Sequence, residues 1–377
     1  MHKIKIGLVG SGFAASLHME AYKMVYGVEP VICALASTSE KAKGFADKYG
    51  IQTVYTSLDE MLQKEKLDVV DICTPPSAHA AQIEKVMMNG CHVICEKPLT
   101  GWFGDHNEPN MLEYVEKQLE ELERVIRASG KKFFYAENFV YAPAVQKSAE
   151  LIEATGAKVL YMKGEESHSG SHAPHAALWS KNGGGSLIRQ GCHPLSAVLY
   201  LKNKEQKRAG KVTAVIADMG HIVSTLTASE AKNINARPVD VEDMANVILT
   251  FEDGTKAMIT SGDMILGGVR NEVQVYTTSG VYQCRIAPND QMQVYHIDDS
   301  QLDDVYFTEK VETKKGWQSI FLDEDIARGY VGELRDFLLC SCGEKEEPES
   351  GFELAKETTR IIYGAYKSAC EERKVKM

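Results

Sequence analysis

The pair Glu96-Lys97 stops an apolar run, His92-Val93-Ile94-Cys95, and Pro98 follows it directly. A run this short, cut off by charge and proline, reads as a buried parallel strand. In open α/β sheets, ligands bind outside the carboxyl ends of the strands. Lys97 would then present its ammonium at the mouth of a sheet, where a catalytic cation is useful. Taken alone, the pair reads equally well as a solvated strand end.

What precedes it weights the first reading. Ile4, Ile6, Leu8 and Val9 open the chain as a strand, and Gly10-Ser11-Gly12-Phe13-Ala14-Ala15 leads into a helical stretch from Ser16. This is the G-x-G-x-x-A form of the dinucleotide fingerprint in its required strand–turn–helix setting. Gly10 permits the tight turn, Gly12 lets a pyrophosphate approach the backbone, and Ala15 lets helix and strand pack closely. The second strand, Val31 to Ala36, ends in Ser37-Thr38-Ser39 without the carboxylate that usually receives the ribose of NAD. The hydroxyls of Ser37 and Thr38, with Lys41 nearby, suit a 2′-phosphate, so NAD and NADP both stay open. Ser39 also reads as the cap of the next helix. A third strand, Leu67 to Cys73, runs into Thr74-Pro75-Pro76 and His79. The expected cofactor set is Gly10, Gly12, Phe13, Ala14, Ser37, Thr38, Lys41, Thr74, Pro75, His79, Glu96 and Lys97.

Further along, Glu165-Glu166-Ser167-His168-Ser169-Gly170-Ser171-His172-Ala173-Pro174-His175 concentrates imidazoles and carboxylates after the strand Val159 to Lys163. Glu166, His168, His172 and His175 could ligate a divalent metal. The glycine, proline and serines make the segment a loop, however, so no helical spacing fixes the ligands, and hydrogen bonding to a polyhydroxylated substrate is favoured. No metal is expected. Trp179 offers a face on which a sugar ring could stack, and Asn138, after the strand from Phe133, is placed to reach a cleft. Trp102 and Phe103 read as a flap or as a plug. Gly183-Gly184-Gly185 opens a helix that carries Arg189 and His193 on one face, with a break or kink expected at Pro194. From Lys211 the pattern is of strands, as in Val247-Leu249-Phe251, a Glu252–Thr255 turn, then Ala257 and Ile259.

The chain has 377 residues and a formal charge of −11. That size suits two domains, and the charge argues against non-specific nucleic-acid binding. No apolar run reaches the about 18 residues of a membrane span, and the first residues lack a signal peptide's apolar core. Nine cysteines without framework spacing, several in apolar strands, read as free thiols in a reducing compartment, hence a cytoplasmic protein.

Gly10-x-Gly12, Thr74-Pro75-Pro76 with His79, Glu96-Lys97-Pro98, Gly183-Gly184-Gly185-Ser186-Leu187 with Gly191-Cys192-His193, and a tail from Pro348 to Ala369 resemble, in this order, the Gfo/Idh/MocA oxidoreductases. These motifs span nearly the whole chain. The resemblance implies an α/β fold: an N-terminal Rossmann domain with a doubly wound parallel sheet over 1–140, then an α+β domain over 141–377 with a large, mostly antiparallel sheet. The helix 351–372 is expected to pack back toward the first domain. The sheet's open face implies a homodimer or homotetramer. The family's chemistry is hydride transfer between NAD(P) and a hydroxyl of a sugar, sugar acid or polyol. By motif, Lys97 matches the family lysine at the reacting hydroxyl and nicotinamide, and His193 matches the acid/base histidine, the two converging on the nicotinamide.

One departure stands out. The family often carries an aspartate four residues before that histidine, where this chain has Arg189. A guanidinium has only donors, and an unpaired buried cation is costly. Either a protein carboxylate or an anionic substrate group must therefore face Arg189. The leading expectation is a sugar or polyol dehydrogenase whose substrate-binding residues are Asn138, His168, His172, His175, Trp179 and Arg189. Two rivals are an NAD-dependent glycosidase that oxidises the ring transiently and returns the hydride, and a non-catalytic NAD(P) sensor. The sequence does not name the sugar or the hydroxyl attacked.

Overall fold

The computed structural model describes residues 1–171, 173–206, 210–286, 292–305, 313–320 and 328–377. They fall into two compact units: residues 1–101, 113–137 and 330–356, and residues 102–112, 138–329 and 357–377. The sequence reading divides the chain once, near 140. Contacts divide it several times, because the first unit also takes the late helix Tyr330–Ser341. That helix lays Phe337 on Phe134 with rings stacked 5.1 Å apart, and Ser350 receives the backbone N–H of Tyr135 on its carbonyl at 3.0 Å.

The first unit is built on six strands: β1 (Lys3–Val9), β2 (Glu29–Ala36), β3 (Thr53–Tyr55), β4 (Val69–Ile72), β5 (His92–Glu96) and β6 (Phe133–Ala136). They are parallel and ordered β3-β2-β1-β4-β5-β6. This is the doubly wound order, with a topological switch between β1 and β4. Apolar runs such as Val93-Ile94-Cys95 are fully buried, as expected of strands covered on both faces. Helix Phe13–Tyr22 follows β1, and Pro76–Met88 follows β4 with its proline in the first turn. The capping expected of Ser39 takes another form: helix Ala42–Tyr49 starts after Lys41, and Ser39 Oγ accepts the Lys41 N–H at 3.2 Å.

The second unit carries β7 (Val159–Ser167), β8 (Val212–Gly220), β9 (Met244–Phe251), β10 (Lys256–Gly262), β11 (Arg270–Thr277), β12 (Gly280–Arg285), β13 (Met292–His296), β14 (Gly316–Ser319) and β15 (Val375–Lys376). They form one sheet in the order β14-β13-β12-β11-β7-β10-β9-β8-β15. Only β7 and β10 run parallel; the other pairs are antiparallel. One face buries Val247, Leu249, Ala257 and Ile259. The other leaves Ile216, Ile248 and Trp317 exposed. Ile216 lies opposite Ile248, and Ile248 opposite Met258. All nine cysteines are free thiols, and no helix is long and apolar enough to cross a membrane among the described residues.

Candidate active site

In the first unit the glycine turn is shaped for a dinucleotide. Gly10 has φ +99°, and a Cβ there would meet the Cys73 carbonyl at 2.5 Å; only glycine tolerates both the left-handed backbone and the close approach. A Cβ on Gly12 would meet nothing within 4 Å, so the space in front of that residue is open to a pyrophosphate. Phe13 is 79% exposed, and Ala14 stands beside it at the helix start. At the end of β2, Ser37 Oγ lies 2.9 Å from Ser11 Oγ and accepts the Ser39 N–H at 3.2 Å, while Thr38 and Lys41 are exposed. These residues fit a nicotinamide dinucleotide at the carboxyl ends of β1 and β2.

His79 behaves differently from the expectation of a cofactor contact. Its ring is fully buried, with Nδ1 2.9 Å from the Pro98 carbonyl and Nε2 2.8 Å from the Thr74 carbonyl. It therefore ties the Thr74-Pro75 loop to the Lys97-Pro98 loop from beneath, and burial pushes its pKa down. Glu96 is also buried; its Oε2 accepts the backbone N–H of Lys97 at 2.9 Å.

In the second unit, the glycine run makes room for the side chains that hold the His193 helix. A Cβ on Gly183 would meet Tyr363 Oη at 2.6 Å, and one on Gly184 would overlap Tyr366 Oη. Glu242 closes the helix start: Oε2 accepts the Gly185 N–H at 2.8 Å, and Oε1 accepts the Leu187 N–H at 2.9 Å and the Tyr366 hydroxyl at 3.0 Å. Burial pushes the Glu242 pKa up against these hydrogen bonds. Where a break or kink is expected beside His193, the chain forms a π-helical segment, Leu187–Gly191, that runs directly into helix Cys192–Gln206. Such wide turns concentrate at functional sites.

His193 is buried, stacked on Phe139 (4.8 Å, 20°), with Nε2 3.9 Å from Glu166 Oε2. Arg189 pairs with the Asp263 carboxylate, which also accepts the Gln190 amide. The Gln190 amide reaches His168 Nε2 at 3.0 Å, and His168 Nδ1 accepts the Gly170 N–H at 2.9 Å. Two polar sets result: Glu166 faces His193, and Arg189 and His168 are joined through Asp263 and Gln190. Of the two partners expected for Arg189, the structure supplies the protein carboxylate.

Other expected substrate residues stand elsewhere. Trp179 is a core residue rather than an exposed platform: it is 5% exposed, edge-on to Tyr366 at 4.9 Å, with Nε1 donating to the Trp102 carbonyl at 2.8 Å. Trp102 donates its backbone N–H to Tyr363 Oη at 2.6 Å, so this stretch packs as a plug. The Asn138 amide donates to the Arg328 carbonyl at 2.8 Å. His175 lies in a short 3-10 turn, its pKa lowered by partial desolvation and by Arg189. His172 lies outside the described residues. Among the described residues, Glu166, His168 and His175 do not gather at metal-ligand spacing. Sequence reasoning missed Asp263, Glu242, Gln190 and the buried His18–Asp71 pair. The only signal in the chain was that carboxylates at 242 and 263 flank strand-like runs, which does not say that they turn inward.

A model of an oxidoreductase family with an NAD-binding Rossmann fold, Gfo/Idh/MocA, matches residues 4–118, and that family's C-terminal domain matches residues 153–283. The chain belongs to the Gfo/Idh/MocA oxidoreductase family. Its first unit is accordingly the family's NAD-binding Rossmann fold. Among Gfo/Idh/MocA relatives, the chain is 23% identical to the myo-inositol 2-dehydrogenase of Thermotoga maritima over 378 residues, covering 99% of this chain and 98% of that enzyme. It is 23% identical to the D-apiose dehydrogenase of Paraburkholderia graminis over 260 residues, 68% of this chain but only 60% of that enzyme. Levoglucosan dehydrogenase, solved with NADH and levoglucosan, shares the fold at a TM-score of 0.77 and 20% identity, covering 100% of this chain and 99% of that one.

Proposed function

We propose that the protein is an NAD(P)-dependent dehydrogenase that moves a hydride between nicotinamide and a hydroxyl of a neutral sugar or polyol. The observation that carries this reading is the buried His193 imidazole, fixed in plane by Phe139 and faced by Glu166. An imidazole so held is suited to take a hydroxyl proton. The bound nucleotide supplies the hydride acceptor. Gly10 and Gly12 leave its pyrophosphate room, and Lys97, at the end of β5, stabilises the oxyanion that develops as His193 removes the proton. Glu166, 3.9 Å from the ring, is the carboxylate placed to offset the charge His193 gains on taking the proton, a part the family aspartate cannot play where this chain has Arg189.

Two finer points belong to the same reading. Because Asp263 already neutralises Arg189, no substrate anion is needed, which favours neutral polyols; the relatives named above are dehydrogenases of inositol, apiose and levoglucosan. The row Tyr161, Tyr276, Val281, Tyr295 and Trp317 crosses the sheet in register. With Ile216 and Ile248 on the same face, it suits a second copy of the chain, giving a cytoplasmic homo-oligomer.

The test is a panel of neutral polyols and their glycosides with each nucleotide. Stoichiometric growth of reduced-nicotinamide absorbance supports the reading. Release of aglycone without net reduction would make the protein a redox-neutral glycosidase, and tight nucleotide binding without turnover would make it a sensor.

A further inference from the structure

Beneath the strand that ends at Lys97, the first unit buries an imidazole among carboxylates. His18, on the helix that follows the glycine turn, is fully buried. Its Nδ1 lies 2.9 Å from Asp71 Oδ2, which also accepts the Tyr22 hydroxyl at 2.9 Å. On the other side, Nε2 stands 3.3 Å from Glu96 Oε1, an ion-pair approach without hydrogen-bond geometry. The second oxygen of that same Glu96 accepts the Lys97 backbone N–H. Among the described residues, Cys73, whose Sγ is 3.5 Å from Nδ1, the Tyr330 ring at 6.2 Å, and the buried Glu333 also face this ring.

We propose that His18 is a positioning residue for Lys97: held between Asp71 and Glu96, it fixes the Glu96 carboxylate that in turn fixes the peptide bearing the reactive ammonium. The proposal rests on the dehydrogenase reading for its kinetic consequence, but the link itself is structural. Carboxylates on opposite edges of one ring, Asp71 at hydrogen-bond distance and Glu96 at ion-pair distance, favour the doubly protonated, charged imidazolium. Burial alone would lower its pKa, yet Asp71 and Cys73 outweigh that and the net displacement is well upward. A charge buried in this way persists because it is paired on both sides. The arrangement also joins the helix behind the pyrophosphate turn to the loop of the catalytic lysine through one side chain. No motif announces this, since the link runs through strands β4 and β5.

His18→Gln keeps polarity but removes the charge and the ring nitrogen that faces Glu96. Backbone amide exchange at Lys97 should become faster in the variant, because the acceptor oxygen of Glu96 is no longer held. On the dehydrogenase reading, kcat should fall about tenfold to a hundredfold, since a misplacement of about 1 Å near the reacting atoms costs about 10². The dinucleotide Kd should stay at the wild-type value. Glu96→Gln should reproduce both losses and add nothing further to them when combined with His18→Gln, as expected of two members of one link. It also serves where His18→Gln does not fold. Unchanged exchange at Lys97 overturns the proposal. So does a Kd that rises in parallel with the loss of kcat, which marks a merely loosened helix, or additive losses in the double variant. A wild type inactive on every polyol would sink the dehydrogenase reading, while Lys97 exchange would still decide the link.

Discussion

Arg189 and Asp263 form an ion pair on the π-helical segment that leads into the His193 helix, with side chains 15% and 4% exposed. An arginine in this place looks, from the sequence, like a demand for an anionic ligand. The partner comes from the chain itself, just past the end of β10, in the residue after Gly262. Breaking a buried pair from one side leaves an uncompensated charge, at about 3–5 kcal/mol. Asp263→Asn should therefore lose about 3 kcal/mol, the lower end of that range because Arg189 is partly exposed. The apolar exchange of both partners, Arg189→Met with Asp263→Leu, should lose less than that single change. Denaturant midpoints of the three variants decide it, and a single change without cost would mean the pair is not formed in solution.

The second expectation concerns the chemistry. Lys97→Ala and His193→Ala should each lower kcat by about 10²–10⁴, the usual contribution of a positioned acid or base. Neither should abolish nucleotide binding. Glu166→Gln should fall short of these, at about 10² or less, because it acts on His193 rather than on the substrate. Turnover at the wild-type level in both alanine variants would remove Lys97 and His193 from the mechanism.

Much of the first unit was readable because its signals are local. A strand, a glycine turn and a helix in sequence fix the nucleotide end without any distant partner, and the Gly10 backbone bears the turn out directly. The second unit was readable as an antiparallel sheet but not as a site. Trp179 illustrates why: an aromatic beside a histidine-rich loop has the same local signature whether it faces a ligand or, as here, Tyr366. Asp263 and Glu242 meet the His193 helix across intervals of 74 and 55 residues or more. A single sequence carries no mark of such pairings. Pro194 is a subtler case: the missing N–H predicts a break or kink, and the chain widens into a π turn before it and continues.

Cofactor choice is the third measurable point. β2 ends in Ser37, Thr38 and Ser39 rather than a carboxylate, and the exposed Lys41 adds a cation two residues on. A 2′-phosphate gaining charge-assisted hydrogen bonds here is worth about 1.5–3 kcal/mol each, so NADPH should bind about tenfold or more tighter than NADH. Ser37→Asp should reverse the order, its carboxylate accepting from the ribose and repelling the phosphate. Nucleotide fluorescence titrations give both constants. Tighter binding of NADH by the wild type would overturn this assignment.

The last expectation follows from Glu333. Burial pushes its carboxyl pKa well above 4.5, and neither oxygen has a hydrogen-bond partner among the described residues, which favours the protonated acid in the folded state. The folded protein then binds more protons than the unfolded chain at pH values above 4.5. Stability contributed by this group is complete below that pH and declines as pH rises toward the folded-state pKa. His18 has the same sign above its ordinary 6.5, so both groups favour the acid side. Glu333→Gln replaces a neutral acid by a neutral amide of nearly equal shape. It should match the wild type at about pH 5 and exceed it at about pH 8, where the wild type must either hold a proton or bury a charge. Denaturant midpoints across that range test it: curves that stay parallel would mean that Glu333 does not keep its proton in the folded protein.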